Sequence, residues 1–261
     1  MFSLTNLEVV RGGREVLAIE HLTIPTDRLT VILGHNGSGK STLVSLLAGQ
    51  LRPDGGQIAL DGQALSSLSA GALARRVAFL PQKLPASAGL TVRELVRLGR
   101  FPWRGMLGRW RREDRQLIDA AMAETGVAPF ADTLVDTLSG GERQRAWVAM
   151  LLAQASPLLI LDEPTSALDI QHQYQLMALL SALPRGVLVI LHDLNLALRY
   201  ADHVIALKQG RVAFRVAFAG SAAALADEQR LSDLYQTPIR LTDHPHPTPG
   251  APPHKVAIIC A

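Results

Sequence analysis

Apolar residues follow two rhythms along this chain. Four runs, Leu29-Thr30-Val31-Ile32-Leu33, Val77-Ala78-Phe79-Leu80, Leu158-Leu159-Ile160-Leu161 and Val187-Leu188-Val189-Ile190-Leu191, are almost continuously apolar. They lack the polar alternation of a half-exposed strand and predict a parallel sheet covered by helices on both faces. Between them the spacing turns helical: Leu43, Leu46 and Leu47 form an i, i+3, i+4 stripe closed by Gly49, and Ala146, Ala149, Met150 and Ala153 form another. Antiparallel material is expected at the start, where Ser3 to Ile24 reads as two strands joined by a Gly12-Gly13 turn. Asp61-Gly62, after Ile58-Ala59-Leu60, marks a further hairpin, and Gln209-Gly210 the last one.

From Gln82 to Gln154 no strand pattern stands out, and helical segments run from Val92 to Leu98 and from Arg112 to Thr125. This region, about residues 83–156, reads as an inserted helical subdomain within a main domain of residues 1–219. Residues 220–261 read as an extension, with an alanine-rich helix near Ser221 to Ala226. Its proline- and histidine-containing tail, Thr242 to Pro253, is expected to be extended and mobile. The expected fold class is α/β: a mixed, mainly parallel sheet, an antiparallel β subdomain and the helical insert.

Composition narrows the classes. At 261 residues and 48% hydrophobic the chain can bury a large core, and a net charge of +3 is too small to choose between nucleic acid, anionic lipid and nucleotide as partner. Cys260 is the only cysteine, which excludes an intramolecular disulfide framework and a thiolate zinc site and fits a reducing compartment. The N-terminus lacks a secretory signal pattern, and Gln154, Ser156 and Pro157 interrupt the longest apolar stretch. A membrane role is therefore expected to come through a separate partner chain.

The chemistry begins directly after the first apolar run. Gly34-His35-Asn36-Gly37-Ser38-Gly39-Lys40-Ser41 has the G-x-x-x-x-G-K-[ST] spacing, in which glycines let successive backbone amides curl around a β-phosphate ahead of a helix N-terminus. Lys40 is expected to reach the β- and γ-phosphates, Ser41 to offer its hydroxyl to Mg²⁺, and Thr42 to assist at the α-phosphate. The strand ending at Leu161 delivers Asp162 and Glu163 to a carboxyl sheet edge, where the phosphate loop of a neighbouring strand also ends. Asp162 is the candidate Mg²⁺ ligand and Glu163 the candidate base for the attacking water. His192, after its own strand, is placed to contact the γ-phosphate. Gln82, after Pro81, is placed to meet Mg²⁺ and water and to act as a hinge for the insert.

A second anion site is expected at Ser139-Gly140-Gly141, where Ser139 can cap a helix whose first amides are free. One chain has a single phosphate loop, and the insert separates it from this helix end. Joint use on one nucleotide thus predicts two ATP molecules sandwiched in a head-to-tail, two-fold dimer.

The order of these elements resembles the nucleotide-binding subunit of ATP-binding cassette (ABC) transporters, from the start to about Ala219. In that family's terms Gly34 to Ser41 is the Walker A motif, Gln82 the Q-loop, Leu138-Ser139-Gly140-Gly141-Glu142 the signature, and Leu158 to Asp162 the Walker B motif with Glu163 catalytic. Ser166-Ala167-Leu168-Asp169 is the D-loop, adding Asp169 to the nucleotide site, and His192 the switch histidine. The resemblance implies a P-loop NTPase fold, ATP and Mg²⁺ as cofactors, and ATP hydrolysis coupled to transport. One departure is Arg11, which stands where the family has an aromatic that stacks on adenine. A guanidinium can also stack on a base.

Leu90-Thr91-Val92-Arg93-Glu94-Leu95, Gly99-Arg100-Phe101-Pro102-Trp103 and Glu142-Arg143-Gln144-Arg145-Ala146-Trp147 carry a finer likeness. They resemble the ATPase subunits of bacterial ferric siderophore importers, most closely the hydroxamate branch, with haem and vitamin B12 importers as near relatives. Membership implies permease subunits as partners, a periplasmic substrate-binding protein beyond them, and a peripheral place on the cytoplasmic face of the inner membrane. Arg97, Arg100, Arg104, Arg109, Arg111, Arg112 and Arg115 lie among Phe101, Trp103 and Trp110. In such a subunit this stretch reads as a permease or lipid-headgroup surface or an ordinary solvated face, and less readily as a nucleic-acid site. A nucleic-acid ATPase of the same class usually has two cassettes or a long coiled-coil insertion, and this sequence has neither. His244, His246 and His254 lack a fixed scaffold for a metal.

Overall fold

Alternation hidden inside the apolar runs divides the molecule into two cores. In the computed structural model, which describes residues 1–87, 89–105, 108–217, 227–244 and 255–260, chain order begins with β1 (Phe2–Arg11), β2 (Arg14–Ile24), β3 (Leu29–Leu33) and α1 (Lys40–Leu47). β4 (Gly55–Leu60), β5 (Gln63–Ala64), α2 (Ala70–Ala74) and β6 (Val77–Leu80) follow, then α3 (Val92–Leu98), α4 (Phe101–Arg104), α5 (Arg112–Glu124) and α6 (Gly140–Gln154). The second half holds β7 (Leu158–Leu161), α7 (Ile170–Ala182), β8 (Gly186–Ile190), α8 (Leu194–Tyr200), β9 (His203–Lys208) and β10 (Arg211–Ala217). α9 (Glu228–Tyr235), β11 (Ile239–Asp243) and β12 (Lys255–Ile259) complete it.

The central sheet has the order β10-β9-β3-β8-β7-β6, parallel except for the edge hairpin of β9 and β10. Successive strand side chains point to opposite faces. Val31, Leu159, Val187, Val189 and Val204 enter the core shared with α3, α5, α6 and α7. Their neighbours Ile32, Ile160, Leu188, Ile190 and Ile205 enter a second core with α1 and the antiparallel sheet β2-β1-β4-β5. Both faces are dry, which is why these strands read as continuous apolar runs.

The sheet order corrects one expectation. β7, which leads to Asp162, is not adjacent to β3: β8 pairs with both and lies between them. The carboxylates therefore face the phosphate loop across the strand that delivers His192.

Helices α3, α5 and α6 pack on one another between β6 and β7. α3 starts at a reciprocal cap, with Thr91 Oγ1 accepting from the Glu94 amide at 3.3 Å and Glu94 Oε2 accepting from the Thr91 amide at 2.9 Å. The arginine-rich stretch is not one surface. Arg100 is buried and paired with Asp114, while Arg97 and Arg104 place their guanidinium carbons 4.3 Å and 3.6 Å from the Trp110 ring centroid.

At the other end, Thr242 and Asp243 lie in β11, paired with Val256 and Lys255 of β12. That part of the expected tail is sheet, because its backbone finds a partner strand. Residues 221–226, the expected alanine-rich helix, and 245–254, with His246 and His254, lie outside the described residues. Among the described residues no group of three or more potential ligands forms a metal cluster, and no helix is long and apolar enough to cross a membrane.

Candidate functional site

Four adjacent strands, β3, β8, β7 and β6, end on one edge, and each is followed by a chemically active residue. After β3 the chain curls through Gly34 to Gly39 into α1. A Cβ on Gly34, whose φ is +147°, would lie 2.3 Å from the Leu207 carbonyl oxygen, so this close approach requires glycine. Lys40 is only 4% exposed, and its Nζ donates to the carbonyls of Gly34 at 2.7 Å and His35 at 2.9 Å. Burial lowers its pKa, against the opposing pull of the Glu163 and Asp162 carboxylates.

After β7, Asp162 is 4% exposed and accepts from Ser41 Oγ at 3.2 Å. Burial raises its pKa; the Ser41 hydroxyl opposes this and the charge of Glu163 adds to it. Serine hydroxyl, carboxylate and the nearby Gln82 amide are hard oxygen donors of the kind that suits Mg²⁺, and a buried carboxylate held in this way is short of positive charge.

Glu163 is clamped from both sides. Its Oε1 lies 2.6 Å from His192 Nε2, and its Oε2 accepts from Gln82 Nε2 at 2.5 Å. Its φ of +52° is a left-handed conformation uncommon for a non-glycine residue, held by Ser166, whose amide and hydroxyl donate to the Glu163 carbonyl at 3.3 Å and 3.0 Å. Asn36, Gly37, Gly39, Lys40, Ser41, Thr42, Gln82, Glu163 and His192 line one cleft of about 360 Å³ together with Val16. Val16 is not among the residues to which the sequence motifs point. It lies in β2 beside Leu17, whose side chain would clash with a Cβ on Gly39, a proximity that only the fold creates.

Other candidates lie outside that cleft. Arg11 pairs with Asp54 at 3.2 Å and is not among the lining residues. Ser139 caps α6, accepting from the Glu142 amide at 3.3 Å; it and Gly140 are exposed, Gly141 is half-buried, and none of the three lines the cleft. Gly141 borders Leu168 of the loop before α7, and Asp169 caps that helix by accepting from the His172 amide at 2.9 Å. These residues share a surface but not the phosphate loop.

A family model described as ABC transporter matches residues 18–166. The chain belongs to that family. The cassette is 43% identical over 214 residues to the probable siderophore transport system ATP-binding protein YusV of Bacillus subtilis (strain 168), covering 80% of this chain and 78% of that one. It is 42% identical over 214 residues to the iron(3+)-hydroxamate import ATP-binding protein FhuC of the same organism, covering 80% of each. Among solved structures, a dimeric bacterial ABC transporter cassette superposes with a TM-score of 0.74 at 28% identity, covering 85% of this chain and all of that one. The cassette is an ATP-binding, ATP-hydrolysing transporter subunit with the P-loop fold of its family.

Proposed function

We propose that this cassette powers import of an iron(III)–siderophore complex, of hydroxamate type, through permease subunits at the inner membrane. A periplasmic binding protein supplies the cargo, and two copies of the chain work head to tail. The observation that carries the hydrolytic part is Glu163, held between His192 and Gln82 beside the phosphate loop. The similarity to siderophore and hydroxamate import subunits supports the cargo.

In this reading the amides of Gly34 to Ser41 bind the phosphates and Lys40 turns from its loop carbonyls to the β- and γ-oxygens. Each Glu163 carboxylate oxygen keeps a second lone pair beyond its protein contact and can accept a proton of the attacking water. His192 fixes the carboxylate and faces the γ-phosphate. Gln82 leads into the helical insert, so a change at its side chain moves the insert. Mg²⁺, held by Ser41 and Asp162 with Gln82 near, supplies charge neutralisation on the phosphates. Ser139, Gly140, Gly141 and Asp169 face the nucleotide of the second copy, and Arg11 is a candidate to stack on its own copy's adenine once released from Asp54.

Two measurements test this. With ATP, the Glu163→Gln cassette elutes at twice its monomer mass, and adding Ser139→Arg returns it to monomer; a dimer indifferent to that change refutes the sandwich. A strain lacking the protein stops growing on ferric hydroxamates as iron source and still uses haem and vitamin B12. Loss of haem or vitamin B12 use alone would reassign the cargo.

A further inference from the structure

The nucleotide cleft is braced by a part of the chain outside the family motifs. Tyr235, last residue of α9, meets the ring of His35 edge to face, with centroids 5.7 Å apart and planes at 64°. His35 is the second residue of the phosphate loop. Its ring Nε2 is buried without a hydrogen-bond partner, and so is the Tyr235 hydroxyl. The contact is therefore one of aromatic shape and not of polar pairing. The same His35 presents its backbone carbonyl to Lys40 Nζ at 2.9 Å and to the Ser38 amide at 3.1 Å. The Tyr235 ring thus bears on the residue whose carbonyl holds the phosphate-binding lysine.

The element that carries Tyr235 is fixed at several points. Leu231 and Leu234 are buried in the main core, Asp227 caps α9 by accepting from the Arg230 amide at 3.0 Å, and Lys208 Nζ donates to the Asp233 carbonyl at 2.7 Å. β12 is tied to α8 through Asn195, whose Oδ1 accepts from the Ala257 amide at 2.7 Å. Asn195 lies three residues beyond His192. The C-terminal unit therefore touches both the phosphate loop and the helix behind the switch histidine.

We infer that Tyr235 is a positioning residue of the ATP site: its ring sets His35, and through the His35 carbonyl sets Lys40 and the curl of the phosphate loop. The inference rests on the ATPase reading above. Packing of the half-buried aromatic pair limits the motions open to the loop, so removing one ring loosens the cradle before nucleotide arrives and weakens binding more than chemistry.

The test measures KM and kcat for Mg-ATP on the full chain, with thermal midpoints alongside. Tyr235→Ala is expected to raise KM about fivefold with kcat within about twofold. Tyr235→Phe, which keeps the ring, restores most of the affinity. His35→Ala combined with Tyr235→Ala is expected to be no worse than the more affected single variant, because both remove one contact. Leu180→Ala, in the same core but on α7, lowers the midpoint and leaves KM alone. Should Tyr235→Ala fail to fold, Tyr235→Met, which fills the space without a ring, takes its place. A wild-type KM in the ring-less Tyr235 variant, multiplying effects in the double variant, or an equal KM rise in Leu180→Ala overturns the inference. A wild-type chain that does not hydrolyse ATP overturns the ATPase reading instead.

Discussion

Glu163→Gln is expected to bind ATP as well as the parent chain while its turnover falls by about 10²- to 10⁴-fold. The side chain keeps its shape, and its remaining carbonyl oxygen can still accept from His192, which lies 2.6 Å from the carboxylate in the parent. Facing Gln82, the new amide can pair with that residue's own amide after a flip of either group. The phosphate cradle is untouched, since Lys40 takes its contacts from Gly34 and His35. What is lost is the group able to take a proton from water. Removing one of the two adjacent carboxylates also reduces repulsion of the γ-phosphate, so binding is held or tightened. Nucleotide binding measured beside single-turnover hydrolysis separates the two effects. Unchanged hydrolysis would move the base elsewhere.

Arg100→Met is expected to destabilise the fold by about 3–5 kcal/mol, the cost of breaking a buried ion pair by removing one partner. The Arg100 side chain is 7% exposed and that of Asp114 4%, with Nε to Oδ1 at 2.9 Å. The guanidinium also donates to the carbonyls of Ala153 at 3.0 Å and Gln154 at 3.2 Å, at the end of α6. One residue therefore joins α4, α5 and α6. Against the roughly 5–15 kcal/mol that holds a typical domain, the loss is large. Denaturant midpoints measure it, and Arg100→Met with Asp114→Leu should recover most of it, since no charge is then left buried.

The pH dependence gives a second reading of the same pair. Burial alone would raise the Asp114 pKa, but the Arg111 amide and the Arg100 guanidinium outweigh it and hold the carboxyl below its usual value. A depressed folded pKa means the carboxylate stabilises the parent above the unfolded value of about 4, and this is lost as pH falls through the folded pKa. In Arg100→Met burial is opposed by the Arg111 amide without the guanidinium, and the folded pKa rises. The penalty relative to the parent is then greatest near pH 7 and shrinks as pH falls toward 4. A penalty independent of pH would mean that lost packing, and not the stranded charge, dominates.

Much of the cleft can be read along the chain because its phosphate loop, Gln82, Glu163 and His192 each come at the end of an apolar strand; Val16, inside β2, does not. A buried parallel strand has one carboxyl end, so a residue just after it is carried to that edge whatever the rest of the fold does. This fixes Lys40, Asp162, Glu163, His192 and Gln82 as edge residues. It does not fix which strand is beside which, and β8 lies between β3 and β7. Arg11 shows the same limit: its partner Asp54 is 43 residues away, reached only through the pairing of β1 with β4.

The sequence by itself determined the four apolar strands, the hairpin turns, the phosphate loop and the Ser139 cap, since these depend on side-chain periodicity, backbone freedom at glycine and contacts within a few residues; β11 and β12, which pair across the tail, it did not. Only the tertiary structure decided that Arg100 is interior, that Tyr235 of the C-terminal helix rests on His35, and that His192 and Gln82 hold Glu163 between them. Each of these joins residues far apart in the chain, and their geometry exists only once the sheet order and the helix packing are set.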